Sequence, residues 1–211
     1  MRITNLTEPK SMIYSSNVYL VLGDGNAPGA LNSLIDVGND PAIIGKIQCA
    51  LTDFGKKAID QVILTHGHSD HVGVLPLIRE AFNPIVLAVS PSVSPDGILE
   101  DGQRVRCGDR IFEVIYTPGH TDDSLCLYGQ KDGTLFVGDT PVVIRSSEGC
   151  YEDRLVWALE RLCRKDVRII YFGHGAPVTK HAQAVLAESL QNVRSAQSIR
   201  GRPDVELTVL R

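Results

Sequence analysis

The chain has 211 residues, of which 43% are hydrophobic and 22% charged, and its formal net charge is −4. This composition predicts one globular domain over residues 1–211, long enough to bury a core without disulfides. The acidic balance excludes a general electrostatic attraction to nucleic acids or anionic membranes. The five cysteines show no CxxC spacing and indicate free thiols. Because no apolar leader or membrane-spanning stretch stands out either, a cytoplasmic protein is expected.

Short apolar segments lie between segments with helical spacing of apolar residues. Strands are predicted at residues 17–22, 34–36, 62–64, 85–89, 111–116, 125–128, 135–137 and 168–172. Helices are predicted at residues 43–54, 72–82, 155–163 and 181–199. Turn signals at 107–109 (CGD) and 131–133 (KDG) predict hairpins in the middle of the chain. This mixture favours an α/β (α+β) fold of layered sheets covered by helices.

The turns that follow four of these strands carry histidine or aspartate. The sequence THGHSDH (65–71) follows the strand 62–64, and the other three turns contain His120, Asp139 and His174. Each of these turns also bears glycine, and they hold five of the six histidines. A single loop histidine is usually an ordinary surface residue, but strand ends at one edge of a sheet can converge. The pattern therefore predicts a metal site.

The spacing within THGHSDH suggests two ions rather than one. His66 and His68 are two residues apart, so in an extended turn both point to the same side and can hold one ion. Asp70 and His71 are adjacent and begin the next helical turn, so they suit a second ion.

The remaining three residues complete the two sets. His120 and His174 can each complete one of them, and Asp139 can bridge the ions with its two carboxylate oxygens. Five imidazoles and two carboxylates are too many ligands for one tetrahedral zinc ion. Two ions about 3.5–4 Å apart would use them all.

The motifs HGHSDH, PGHT, GDT and GHG, in that order, resemble the metallo-β-lactamase superfamily. The resemblance covers residues 17–177 and leaves 178–211 as a C-terminal helix and tail. It implies a four-layer αββα sandwich in a single domain, with the metals at one edge between the sheets. The ligands that it implies are His66, His68 and His120 for the first ion, Asp70, His71 and His174 for the second, and Asp139 as the bridge.

Particular residues favour one branch of that family. Asp139 stands where the resembling class B β-lactamases carry Cys or Ser, and His68 stands where flavodiiron proteins carry Glu. The resemblance therefore implies a glyoxalase II-like hydrolase that cleaves a small thioester, ester or lactone by attack of a metal-bound hydroxide. Asp70 would be both a metal ligand and the catalytic proton acceptor. Only about 35 residues follow GHG, which argues against a glutathione-binding helical domain.

Two zinc ions are expected, although iron or manganese suits the same ligands. A mononuclear Fe(II) enzyme resembling persulfide dioxygenases is the main alternative, because such enzymes retain nearly the same motifs. A metal-dependent nuclease is a weaker one, since the acidic chain shows no RNA-gripping arm. The expected partner is a small-molecule substrate and not a nucleic acid or a membrane. The helix and tail at 178–211 could form a homodimer contact or cover the core.

The substrate wall has two candidate segments, residues 23–30 and residues 141–151. Within the second, Arg145 and Tyr151 could bind an anionic or polar group, or they could be ordinary surface residues. Asp36 follows a strand and could orient a metal ligand from behind. The alternative for Asp36 is that it caps a turn.

Overall fold

The computed structural model describes residues 1–7, 12–24, 29–50 and 58–200. Residues 199 and 200 are described by their backbone alone. The strands of the first sheet are β1 (Arg2–Asn5), β2 (Tyr19–Leu22), β3 (Ser33–Ile35), β4 (Gln61–Ile63), β5 (Ile85–Ala88) and β6 (Gly97–Ile98). Those of the second sheet are β7 (Arg104–Cys107), β8 (Arg110–Tyr116), β9 (Leu125–Gly129), β10 (Thr134–Phe136) and β11 (Ile169–Tyr171). The α-helices are α1 (Ile43–Cys49), α2 (Ser69–Val72), α3 (Leu75–Phe82), α4 (Asp153–Cys163) and α5 (Ala182–Arg200).

The two sheets pack face to face, and helices cover their outer faces. Between the sheets, Tyr19 and Ile63 of the first sheet pack with Phe112 and Phe136 of the second. The outer face of the first sheet packs against α1 and α3, and that of the second against α4 and α5. Because both faces are covered, strands such as β2 and β9 are buried at every position. The layers confirm the predicted four-layer αββα sandwich.

Most predicted elements lie where the sequence placed them, but the predicted helix 72–82 is wrong in its extent. The chain forms α2 and α3 instead, with a break at Gly73 and Val74. Pro76 sits in the first turn of α3, where its missing N–H costs nothing, whereas inside one continuous helix it would remove a hydrogen bond.

The sequence missed three strands that carry little pattern. β1 lies at a sheet edge and is largely exposed, β6 has two residues, and β7 alternates arginine with buried residues. The end of the predicted helix 43–54 and the tail after residue 200 lie outside the described residues. None of the helices in the described part is long and apolar enough to cross a membrane.

Strand direction brings several turns to one edge of the sandwich. In the first sheet β3 and β4 are parallel. In the second, β8 and β10 are both antiparallel to β9, and β11 is parallel to β10, so all three end at one edge. The two edges meet, since the Leu125 N–H donates to the Thr65 carbonyl (3.0 Å). We call this shared edge the carboxyl edge.

Candidate metal centre

All seven predicted ligands lie at the carboxyl edge. Their nitrogen and oxygen atoms form three overlapping groups, and within each group the atoms lie within 4.8 Å of one another. The groups are His66, His68 and His120; His66, His71 and Asp139; and Asp70, His71 and His174. We call His66, His68 and His120 the first set, and Asp70, His71 and His174 the second set.

The first set is three imidazoles that approach one another edge to face. His120 Nε2 lies 3.0 Å from His68 Nδ1, and the His66 ring centroid lies 4.7 and 4.9 Å from those of His68 and His120. His66 is buried whereas His68 and His120 are exposed. The set is therefore closed on the protein side and open on the solvent side.

The second set joins two imidazoles to one carboxylate. His174 Nε2 lies 3.0 Å from Asp70 Oδ2, and His71 Nε2 lies 3.8 Å from the same oxygen. His71 is fully buried, while the side chains of Asp70 and His174 are partly exposed. This set too has a buried floor and an open rim.

Asp139 lies between the two sets. Its Oδ1 is 3.3 Å from His71 Nε2. Its Oδ2 is 3.5 Å from His174 Nε2 and 3.6 Å from His120 Nε2. One carboxylate thus contacts imidazoles of both sets, which is the position that a bridging ligand requires.

Asp36 fixes the orientation of both buried imidazoles. Its Oδ2 accepts hydrogen bonds from His71 Nδ1 (2.8 Å) and from the Thr65 hydroxyl (2.9 Å). Since that hydroxyl donates its proton to Asp36, it accepts one from His66 Nδ1 (3.1 Å). Both imidazoles are therefore held with Nε2 toward the centre, the usual arrangement behind histidine ligands. Asp36 itself adopts a left-handed backbone (φ 58°), which Asp tolerates better than most residues.

The buried nitrogens show that the centre fits metal ions. Among the described residues, His66 Nε2 and His71 Nε2 are two of four buried side-chain polar atoms without a hydrogen-bond partner. Leaving such atoms unpaired is costly unless something binds them. Both atoms face a cluster of imidazole and carboxylate groups, the ligand types that suit zinc, iron and manganese. The donor set thus fits divalent metal ions.

Burial and charge act differently on the two floor histidines. Burial lowers the pKa of His66 to about 4, helped by the nearby His71. Burial also acts to lower the pKa of His71, but the Asp36 and Asp139 carboxylates outweigh it and raise that pKa to about 10. For Asp139, burial acts to raise the pKa, yet contact with His71 holds it at about 2. The carboxylates of Asp36 and Asp139 therefore stabilise positive charge around His71, on the side of the second set that faces Asp139.

Separate contacts hold the turns that carry the other ligands. The buried hydroxyls of Thr117 and Thr140 lie 2.9 Å apart and link the turn before His120 to the turn after Asp139. Asn17 Nδ2 donates to the carbonyls on either side of His174, those of residues 172 (2.9 Å) and 175 (2.8 Å).

Gly173 allows the closest approach in the centre. A Cβ built at this residue would clash with the Asp139 carboxylate and would lie 2.7 Å from the His71 ring. Gly138 has a positive φ of 51°, and a Cβ there would lie 2.5 Å from the Thr65 hydroxyl. The glycines of the GDT and GHG motifs therefore let three turns pack together without displacing the ligands.

The predicted substrate residues Arg145 and Tyr151 lie apart from these contacts. Arg145 is exposed, and the Tyr151 hydroxyl donates to the carbonyl of Ser146 (3.0 Å) within the same loop. Neither side chain forms a hydrogen bond or an ion pair with a predicted ligand in the described part of the chain. The buried side chains of Val142 and Ile144 anchor this loop elsewhere, under α5.

The other candidate wall, residues 23–30, falls partly outside the described residues. Its described ends lie at the opposite edge, because β2 runs antiparallel to β3. There the Leu31 N–H donates to the Gly108 carbonyl (3.0 Å), next to the start of β8. The residues that precede β2 therefore lie beside the centre.

The sequence did not reveal that Tyr14 contacts the predicted ligand His174. Its ring stacks on His174 with centroids 5.1 Å apart and planes 19° apart. Its hydroxyl lies 3.5 Å from His174 Nε2. The two residues are 160 positions apart, so no local pattern could indicate the contact. The only signal was the apolar run of residues 12–14 before a predicted strand.

Known proteins resemble this chain at the level of sequence and of fold. It is 27% identical over 194 residues to the atrochrysone carboxyl ACP thioesterase of Aspergillus fumigatus, covering 89% of this chain and 59% of that protein. It is 36% identical over 88 residues to the hydroxyacylglutathione hydrolase of Francisella tularensis subsp. novicida, covering 40% of this chain and 35% of that protein. The chain thus spans less than two thirds of the length of these relatives.

Solved structures share the same sandwich. ETHE1 from Myxococcus xanthus superposes with a TM-score of 0.65 at 23% identity, covering 97% of this chain and 93% of that one. At that identity the likeness establishes the fold alone. The family model of the metallo-beta-lactamase superfamily matches residues 13–94 and 87–174, which include all seven predicted ligands. The chain belongs to the metallo-beta-lactamase superfamily.

Proposed function

We propose that this protein is a metal-dependent hydrolase of thioesters, with esters and lactones as related substrates. In this proposal His66, His68 and His120 hold one divalent ion, and Asp70, His71 and His174 hold a second. Zinc is the expected metal, and Asp139 serves both ions.

The position of Asp139 carries the proposal. Its carboxylate lies 3.3 Å from His71 and 3.6 Å from His120, so a single side chain contacts both sets. His66 and His71, whose Nε2 atoms have no hydrogen-bond partner, each have a ring nitrogen within 4.8 Å of a carboxylate oxygen of Asp139. Five imidazoles and two carboxylates exceed the four ligands of one tetrahedral ion, which favours two ions.

Bound divalent ions supply Lewis acidity and a reactive water at neutral pH, which is the chemistry that carbonyl hydrolysis needs. The chain itself must then bind the ions, orient the imidazoles and move a proton. Asp36 and Thr65 keep Nε2 of His66 and His71 facing the centre. Asp70 is the proposed proton acceptor, because its Oδ2 lies at the partly exposed rim, 3.0 Å from His174 Nε2.

The two curated relatives support a thioester as the substrate class. Their names describe a carboxyl ACP thioesterase and a hydroxyacylglutathione hydrolase, and both reactions break a carbonyl–sulfur bond. This chain covers 59% and 35% of those proteins, so the acyl carrier and glutathione portions of their substrates are not carried over to it.

A mononuclear Fe(II) oxygenase is the second candidate, and one observation favours it. His66, His71 and Asp139 form a group of two imidazoles and one carboxylate. That combination is typical of non-haem Fe(II) oxygenases. In this hypothesis the other four predicted ligands, His68, Asp70, His120 and His174, would not bind the metal.

One experiment separates the two candidates. The purified protein is stripped of metal, reloaded with zinc or with Fe(II), and assayed against thioesters, lactones, phosphodiesters and a thiol persulfide under air and under argon. The hydrolase proposal predicts thioester cleavage by the zinc protein that is equal under both gases. Activity confined to the iron protein and accompanied by oxygen consumption would overturn it.

A further inference from the structure

Three consecutive large apolar side chains stand exposed beside the metal centre. The relative exposures of Met12, Ile13 and Tyr14 are 101%, 42% and 74%. The other exposed large apolar residues of the described ranges are separate from one another in sequence: Leu77, Ile85, Ile98, Ile111, Val143 and Trp157. Scattered exposed apolar residues are ordinary, whereas a contiguous group usually marks a binding surface. We call residues 12–14 the apolar wall.

The apolar wall touches the second set directly. The Tyr14 ring lies parallel to the His174 imidazole, and its hydroxyl is 3.5 Å from His174 Nε2. The same nitrogen lies 3.0 Å from Asp70 Oδ2. A group that reacts beside Asp70 therefore lies within about one ring width of Tyr14, close enough for its neighbouring substituent to pack on the phenol face.

A cavity of about 670 Å³ lies along the wall. The wall forms one side, residues 174–177 form another, and Asn5, Thr7 and Asn17 add neutral polar groups. Pockets that hold small ligands usually enclose about 300–1,000 Å³ and are mostly apolar with a few polar groups. The cavity is thus large enough for an acyl group, and it opens at the reacting centre.

The described lining of this cavity contains no Lys, Arg, Asp or Glu. Among the described lining residues a carboxylate or ammonium group would find no ionic partner, and losing hydration without one is costly. An apolar group would instead leave water and pack on Met12, Ile13 and Tyr14, at a gain of about 25 cal/mol per Å² of apolar surface buried. The described lining therefore favours apolar over charged substituents.

We propose that the apolar wall binds the acyl group of the substrate, so that the preferred thioesters carry an aromatic or medium-length apolar acyl chain. This rests on the proposed hydrolytic function and names the substrate class of that same site. Tyr14 acts through its ring, which packs on the acyl chain. The polar residues Asn5 and Thr7 line the cavity and do not select for charge.

The test compares two thioesters of the same thiol, N-acetylcysteamine, that carry acetyl or 3-phenylpropanoyl groups. The purified, zinc-loaded full chain is assayed as wild type and as the Tyr14→Ala, Tyr14→Phe and Trp157→Ala variants. The last is a matched control, because Trp157 is an exposed aromatic residue (45%) on α4 and outside the cavity lining. Because the two carbonyl groups react similarly, the ratio of their kcat/KM values reports acyl binding.

We expect wild type to prefer the 3-phenylpropanoyl thioester. The Tyr14→Ala substitution should lower that preference by about tenfold, mainly by raising KM for this thioester. Tyr14→Phe and Trp157→Ala should keep the wild-type ratio. An unchanged ratio in Tyr14→Ala would overturn the acyl-binding role while leaving hydrolysis intact. A Tyr14→Ala protein that changes its oligomeric state instead, as seen by size-exclusion chromatography, would overturn it too, because the wall would then be a contact between copies.

A binding measurement keeps this inference separate from the proposed function. The dissociation constant of 3-phenylpropanamide, which cannot be hydrolysed readily, is measured by calorimetry for the same proteins. If Tyr14→Ala binds the amide about tenfold more weakly and wild type cleaves no thioester, the cavity binds acyl groups but the hydrolase proposal is wrong. Equal binding by wild type and Tyr14→Ala would overturn the cavity assignment whatever the activity.

Discussion

The two halves of the metal centre are built differently. One half, His66 to His71, comes from a single turn after β4, and its buried imidazoles share one carboxylate behind them, that of Asp36. The other half, His120, Asp139 and His174, comes from three turns of the second sheet, and each turn has its own hydrogen bonds. A change behind the compact half should therefore affect both ions, and a change behind the dispersed half should affect one.

The largest effect is expected for Asp70→Asn, within the compact half. The amide can no longer accept a proton and is a poor ligand, so kcat for thioester hydrolysis should fall by about a thousandfold or more. Stopped assays with a zinc-loaded variant measure the loss, and circular dichroism shows whether it is folded. Near-wild-type turnover would remove Asp70 from the proton-transfer role.

Asp36→Asn tests whether one residue serves both ions. Asparagine keeps the size of the side chain but replaces one acceptor oxygen by a donor, so the orientation of His66 and His71 is no longer enforced. We expect the affinity for both zinc ions to fall by about 10- to 100-fold. Titration against a competing chelator measures each affinity, and loss at only one ion would contradict the shared role.

Asn17→Ala is the matching change behind the dispersed half. It removes the donor to the two carbonyls that flank His174 and leaves the Asp36 contacts in place. The second ion should bind about tenfold more weakly, and the first should be unaffected. Substitutions of residues that hold a metal ligand in place typically weaken metal binding by about 10- to 100-fold. The same chelator titration applies, with thermal unfolding as the control for overall stability. Equal weakening of both ions would erase the difference between the halves.

The smallest effect is expected for Arg145→Ala. Arg145 is exposed and belongs to a loop anchored under α5, so kcat/KM for uncharged thioesters should change by less than about twofold, as is usual for surface substitutions. Steady-state kinetics measures this change. A large increase in KM would restore Arg145 as a substrate residue and move the substrate wall to the other side of the centre.

The sequence predicted the convergence of these side chains because their positions follow a rule of strand geometry. His120, Asp139 and His174 follow strands that the structure shows to end at one edge, so their place along the chain predicts their proximity. The layered fold was predictable for a similar reason, since the apolar strands are buried on both faces.

Contacts that depend on strand direction were not predictable. Residues 23–30 and 12–14 flank the same strand, β2, and only its antiparallel pairing with β3 decides which flank lies beside the ligands. The stacking of Tyr14 on His174 likewise joins the segment before β2 of the first sheet to the turn after β11 of the second. The segment 141–151 follows Asp139 directly in sequence, which suggested a place beside the centre. Val142 and Ile144 are instead buried toward α5 and leave Arg145 exposed to solvent.

Zinc titration of the metal-free protein shows whether the two halves together hold two ions. Calorimetry counts the metal bound per chain. We expect two equivalents for wild type, because each set has its own three candidate ligands and Asp139 contacts both. Saturation at one equivalent would contradict it.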